Sequence, residues 1–459
     1  AMHVLARPMP ALVRCAPQRM LAAVITPVEL VSDPAAALAA AGVSGGLSST
    51  ADQLAGSLFG ASLFPWLAML YWLAHPKVRA PPGVSFGLTF LLAFVFGSIP
   101  AAIGAGVLYG VSLADADWLH GAAESLLAIT NCIVVLGFRD ALSAADDRSP
   151  RLRTAAAVCG GLSALSAVAV LAGGGAQVHT PWLGGVGNLP PWVWPAEPVN
   201  ALSVPTWIIH TSSLVEWLVA MGLAWRYADA TSRPEWKGVT WGMLPLHTSG
   251  IIACTYHLFY NAEALSWCVA LQAGMTCLGN TTLAWACLRL ALASGWTWGD
   301  AASDAAAAFV SVQRPAASIA GAGARGRAAE PATGRLELDT IGSSPGASPP
   351  SDGVSPRAGS GGADSAGGAL IGWEDLGDSW AADSDVFFLA KLALLSATLA
   401  FAAKYTAALI PWPLVRIWEG LPDGAVSAAA LAVIVVPTLL NCIKWRQRSK
   451  EDVEFVGDF

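Results

Sequence analysis

Charge is what this sequence has least of: only 12% of its 459 residues are Asp, Glu, Lys or Arg. A water-soluble globular domain carries about a quarter, so a soluble enzyme or a soluble binding module is excluded. Catalytic signatures are missing as well. There is no Gly-x-x-x-x-Gly-Lys-Ser/Thr loop, no dinucleotide-binding glycine fingerprint, no His-Glu-x-x-His and no Gly-x-Ser-x-Gly. Any enzyme here would have to work within the membrane. Cysteine is sparse at eight. Apart from Cys15, the cysteines fall in apolar runs, where they read as small fillers rather than as a disulfide framework.

What the chain does have is hydrophobic residues, 55% of the total, gathered into runs long enough to cross a bilayer. Nine spans are expected, at 54–73, 84–108, 118–138, 154–172, 204–225, 241–260, 265–292, 386–410 and 425–442. The fold class is therefore an all-α polytopic transmembrane bundle. The loops support this count independently. Lys77, Arg79, Arg139, Arg148, Arg151, Arg153, Arg226, Arg233, Lys237, Arg289 and the tail "KWRQRSK" fall on one side. Asp115, Asp117, Glu197 and Glu263 fall on the other, and Arg416 alone breaks the alternation. The positive-inside rule places the C-terminus on the basic, cis side. Many of the twenty tryptophans sit at span ends, as interfacial belts require.

Outside the spans, residues 1–45 are rich in arginine and almost free of acid, the composition of an organelle transit sequence. Residues 299–383 are rich in Ala, Gly, Ser and Pro and are expected to form a disordered linker. Its acidic end, "WEDLGDSWAADSD", is expected to be either a solvated tail or a docking segment. Residues 443–459 read as a basic and polar tail.

Two stretches repeat. "FGSIP" at Phe96–Pro100 matches "WGMLP" at Trp241–Pro245, each expected to open or break a helix. Trp118 and Asn131 are separated by the same thirteen residues as Trp267 and Asn280. A three-helix unit at 54–139 is thus expected to recur at 202–292, with span 154–172 between them and a two-helix hairpin at 386–442. The intervening span gives both copies the same direction, as in a parallel repeat.

Polar residues inside spans mark function or helix contact, because a charge at the bilayer centre costs about 2.5–3.5 kcal/mol even on insertion scales. His120, Glu124 and Asn131 line one face of span 3; Cys254 and His257 share a face in span 6; Cys268, Gln272, Thr276 and Asn280 recur at fours in span 7. Span directions bring His120, His210 and His257 to one depth near the trans face, with Glu124 and Glu216 one to two turns deeper. These five are the candidate cofactor ligands. Neutral imidazoles suit a metal ion, a haem or the magnesium of a chlorophyll; the alternative is that they lock helices together. Asn131, Cys254, Gln272, Thr276 and Asn280 form the candidate polar seam. His247 lies near the cis side.

The stretches "LSVPTWIIHTSSLVEWLVAMGLAWRY", "WGMLPLHTSGIIACTYHLFYNAEALSW" and "LQAGMTCLGNTTL" resemble the hypothetical chloroplast open reading frame forty-nine-like family of cyanobacteria and plastids. Residues 58–139 resemble a second, short cyanobacterial membrane family of unknown function, and the last two spans resemble the tail of plant and algal versions. The resemblance implies a photosynthetic organism and a plastid membrane. It implies family equivalents for His210, Glu216, Cys254, His257, Gln272 and Asn280, whereas His247 departs from the pattern. No established activity comes with it. The expectation is a thylakoid protein, with the inner envelope as the alternative, whose C-terminus is stromal. Its expected partners are lipid and photosynthetic complex subunits, with no nucleic acid. The leading function is a non-enzymatic cofactor- or pigment-handling assembly factor; the alternative is a transporter of a small solute, metal ion or proton-coupled substrate.

Overall fold

The computed structural model describes residues 50–143, 149–172, 200–313, 372–409 and 421–451. The transit-like segment, the Trp/Pro-rich loop before residue 200, most of the linker and Arg416 lie outside these residues. All regular structure among the described residues is helical. The nine long helices of the membrane unit are α1 (Thr50–Ala74), α2 (Pro82–Gly104), α3 (Asp117–Leu142), α4 (Ser149–Ala172), α5 (Val204–Thr231), α6 (Glu235–Leu258), α7 (Trp267–Ala293), α10 (Asp385–Leu409) and α11 (Asp423–Glu451). The short helix α9 (Leu376–Ser379) precedes α10. Six of them, α1, α2, α3, α5, α10 and α11, are long and apolar enough to cross a membrane. Helices α6 and α7 span 24 and 27 residues, but polar residues such as Lys237, His247 and Ser249 in α6 and Gln272, Thr276 and Asn280 in α7 dilute their apolar character. A separate unit contains α8 (Trp298–Gln313).

Two expectations need correction. Pro100 and Pro245 lie inside continuous helices, so neither marks a break. The irregularity in α2 comes later, as a π-helical turn over Ala105–Tyr109. Neighbouring helices and local adjustment let a membrane helix absorb the donor that proline lacks. Part of the expected disordered linker is ordered: α8 covers Trp298–Gln313, because alanine, which read as low complexity, is also the best helix former. Asp300 closes its first turn by accepting from the Thr297 backbone N–H at 2.7 Å. The basic and polar tail expected from residue 443 is helical as far as Glu451, where α11 ends.

The duplicated unit is visible in which helices touch. Helix α2 packs antiparallel on α3, and α6 antiparallel on α7. A side chain at Gly137 of α3 would strike the Gly83 carbonyl carbon of α2 at 2.5 Å, and one at Gly242 of α6 would strike Leu283 Cα of α7 at 2.8 Å. Small residues let membrane helices approach this closely. Across the units, α3 runs parallel to α5, since Asp117 meets Ser203 at one end and the Phe138 and Tyr227 rings meet at the other. Correspondingly, α7 runs parallel to α1, with Asn280 against Ser62 and Gly295 against Lys77.

Two asparagines fix this two-fold relation. Asn131 Nδ2 donates to the Ser213 carbonyl of α5 at 3.2 Å, and Asn280 Nδ2 to the Ser62 carbonyl of α1 at 2.9 Å. The acceptors themselves repeat: Ser62-Leu63-x-x-Trp66-Leu67 answers Ser213-Leu214-x-x-Trp217-Leu218. Interhelical hydrogen bonds of this kind are worth about 0.6 kcal/mol on average and up to about 1.7. Asn131→Leu and Asn280→Leu are therefore expected to lower stability by similar amounts and additively, since they sit at separate contacts. Chemical denaturation of the two single variants and the double would show a strongly unequal or non-additive loss if the clamps were not equivalent.

The bundle ends are sorted by charge. At one end Arg233 donates to the Val78 carbonyl at 2.9 Å and to Ser294 Oγ at 2.9 Å. The acidic segment docks at this same end. Glu374 is buried against α5 and pairs with Lys444, Arg448 meets Asp375 at 3.0 Å and Arg226 meets Asp378. Arg139 donates to the Asp383 carbonyl at 2.8 Å and caps the Phe388 ring. The segment is thus an intramolecular strap rather than a solvated tail. Gly222 makes room for it, because a Cβ there would meet the Glu374 carbonyl oxygen at 2.2 Å. Gly222→Val is expected to expel the strap and open the bond after Glu374 to glutamyl endopeptidase. Equal protection of variant and wild type in limited proteolysis would disprove the docking.

Candidate metal centre

His120, His210 and His257 meet at the acidic end of the bundle. Each comes from a different helix, α3, α5 and α6, and each is buried. One ligand nitrogen from each lies within 4.8 Å of the others. His120 Nε2 and His210 Nε2 are 2.9 Å apart. The His257 ring stacks on His210 at 5.0 Å between centroids and stands edge-on to His120 at 4.8 Å.

The surrounding structure holds these rings in place. His120 sits in the first turn of α3, and its Nδ1 lies 3.3 Å from the Leu113 carbonyl, so the natural tautomer turns the Nε2 lone pair inward. Asp117, the first residue of α3, accepts from the Ser203 N–H at 2.9 Å and its hydroxyl at 3.1 Å, tying α3 to the start of α5. Gly121 lets Thr206 approach, since a Cβ there would lie 2.7 Å from Thr206 Oγ1. Asn261, in the left-handed region at φ 54°, donates to Asp115 Oδ1 at 2.7 Å and links the turn after α6 to the turn before α3. His257 Nδ1 is buried, and the Asn261 side chain of the following turn is its hydrogen-bonding neighbour.

The other sequence candidates divide. Glu124 and Glu216 are not among the clustered ligands. Glu124 lies one turn deeper on α3, and Glu216 accepts from Cys132 Sγ and Ser212 Oγ, each at 3.2 Å. The seam mostly ties helices together. Asn131 and Asn280 are the clamps described above, and Thr276 meets Ser249 at 2.7 Å between α7 and α6. The Thr276 hydroxyl also donates to the Gln272 carbonyl within α7. Cys254 packs against the apolar cluster of Leu202, Trp207 and Ala400. His247 Nδ1 lies 3.4 Å from Asn441 Nδ2 of α11, away from the triad. Sequence reading passed over Asp117 and Cys132: one looked like a loop acid and the other like a filler. Their only signal was position, a turn before His120 and a residue after Asn131.

At the related α7–α1 interface the positions answering His120 and His210 are Val269 and Phe59, by the Trp118–Trp267 and Ser62–Ser213 correspondences. The imidazoles therefore occupy one of two related interfaces, whereas the asparagine clamps occupy both. A purely architectural role would be expected to recur with the architecture.

Comparison with known proteins places matches on both halves. Residues 201–289 match a family described as a protein of unknown function, DUF2499, and residues 55–143 match another so described, DUF3593. A Ycf49-like protein of Synechocystis is 44% identical over 108 residues, covering 24% of this chain and 97% of that protein. An uncharacterized protein ycf49 of Cyanophora paradoxa is 31% identical over 85 residues, covering 18% of this chain and 83% of that one. No solved structure matches the chain.

Proposed function

We infer that this chain, which belongs to the Ycf49-like family, is a metal-handling protein of a plastid membrane whose three-histidine site holds one transition-metal ion. The observation that carries this reading is the convergence of three buried imidazoles within 4.8 Å. Zinc–nitrogen bonds of 2.0–2.1 Å separate ligand nitrogens by about 3.3–3.6 Å. The group therefore needs shifts of an ångström or so at most to close on an ion, leaving a fourth position open.

The same contacts disfavour a macrocycle. A haem held axially by two histidines lies between their nitrogens, and here His120 and His210 touch at 2.9 Å. A chlorophyll needs a free ring face beside its ligand, and the three imidazoles pack directly against one another, one pair stacked and two edge-on. A transport reading is weaker than the sequence made it, because α2 and α6 run through their prolines without the break that discontinuous transporter helices show.

We place the protein in the thylakoid, with the basic end and C-terminus stromal by the positive-inside rule. The triad then faces the lumen. With no catalytic motif, the role that fits is a non-enzymatic assembly or stabilising factor that supplies or senses a metal ion for photosynthetic complexes. Metal analysis of protein purified in mild detergent, with identification of co-purifying complexes, tests both parts. One ion per chain and a photosynthetic complex on the resin support the reading, whereas a metal-free protein overturns it.

A further inference from the structure

Below the triad, the α3–α5 interface contains a second group of polar atoms that nothing in the fold accounts for. Glu216 is buried on α5, and its Oε1 accepts from Cys132 Sγ of α3 and from Ser212 Oγ, both at 3.2 Å. Its Oε2 is buried without a partner. Two further buried atoms nearby in sequence on the same two helices are in the same state, Asn131 Oδ1 and Ser213 Oγ. A carboxylate oxygen, an amide oxygen and a hydroxyl, all unsatisfied, are rarely left so in a native protein and call for a ligand.

We propose that Glu216 and Cys132 form a second, deeper cation site, in line with the triad, for a soft monovalent ion of the Cu⁺ type. This rests on the metal-handling reading of the triad and extends it. Along the helix axes, Glu216 lies about 9 Å from His210 on α5 and Cys132 about 18 Å from His120 on α3. A thiol is the donor that selects soft ions, and only its thiolate binds them strongly. The existing contact supplies the base. On binding, the Cys132 S–H bond breaks and the proton passes to Glu216 Oε1. Sγ⁻ and Oε2 then coordinate the ion, and no electron is transferred. The −1 charge of the resting pair and the +1 of the ion sum to zero, which is what a low-dielectric interior requires. A divalent ion would leave a net charge there. Glu124, one turn below His120 on α3, lies between the two depths.

Loading the full-length protein in detergent with Cu⁺ under ascorbate, followed by metal counting and X-ray absorption, tests this. Wild type is expected to hold two ions per chain and to show a metal–sulfur shell near 2.3 Å, about the distance of thiolate bonds. His257→Ala is expected to lose one ion and keep the sulfur shell. Cys132→Ser is expected to lose the other ion and the sulfur shell, and Glu216→Gln to lower occupancy of that ion alone. Glu216→Gln removes no sulfur and nearly preserves side-chain shape, so it keeps the site testable if Cys132→Ser fails to fold. One nitrogen-bound ion, lost in His257→Ala and unchanged in Cys132→Ser, would overturn the second site and leave the triad standing. No bound ion in any form would overturn both.

Discussion

Replacing His210 with alanine should lower metal affinity by more than about 100-fold, the upper figure for removing only an outer partner of a metal ligand. His210 is the most consequential of the three, because it contacts His120 through Nε2 and stacks on His257. Without it, two imidazoles remain, one ligand short of the set that encloses the ion. A double change, His120→Ala with His210→Ala, should therefore fall little further than either single one, since ligands of one ion act as a unit. Competition titrations with a chromophoric chelator measure this directly. If the histidines serve only as helix contacts, the variants will bind metal no differently from wild type and will lose thermal stability instead.

The largest loss of stability is expected at Gly137. A Cβ on this residue would lie 2.5 Å from both the Gly83 carbonyl carbon and the Val84 nitrogen. Backbone atoms of a continuous helix cannot rotate away as a side chain can, so α2 and α3 must separate. Overpacking usually costs about 1–3 kcal/mol and sometimes more; Gly137→Val should lie at or beyond the top of that range. Gly60 of α1 is the control, because a Cβ there meets nothing within 4 Å. Gly60→Ala should be neutral or stabilising, as alanine is favoured over glycine in a helix by up to about 1 kcal/mol. Apparent melting temperatures in one detergent would separate the two, and equal melting of Gly137→Val and wild type would refute the close approach.

Much of the triad could be read from span direction. Once α3 and α5 run inward and α6 outward, His120, His210 and His257 must share a depth, whatever their neighbours. The paired asparagines could be recognised through their equal spacing from Trp118 and Trp267, but not through what they bind. Their acceptors are carbonyls of Ser62 and Ser213, and a backbone carbonyl leaves no mark in a sequence. Cys132 was illegible for a different reason. A cysteine in an apolar run looks like a small filler, and only the neighbour across the interface, Glu216, gives its sulfur a role. Composition misled in the linker, where alanine marks both low complexity and a strong helix former, and α8 is the result.

The sequence by itself determined most of the helices, their approximate ends and which polar side chains share one end of the bundle. These follow from hydropathy and charge along one dimension, which the bilayer converts directly into position along its normal. Only the tertiary structure decided the lateral arrangement. It set α3 beside α5 and α7 beside α1, docked the acidic strap on α5, and paired Glu216 with Cys132 rather than with the histidines. Those choices depend on how each helix rotates about its axis and on where small residues such as Gly137 and Gly242 permit close contact. Segments more than a hundred residues apart must fit together before that is settled, so no local pattern can encode it.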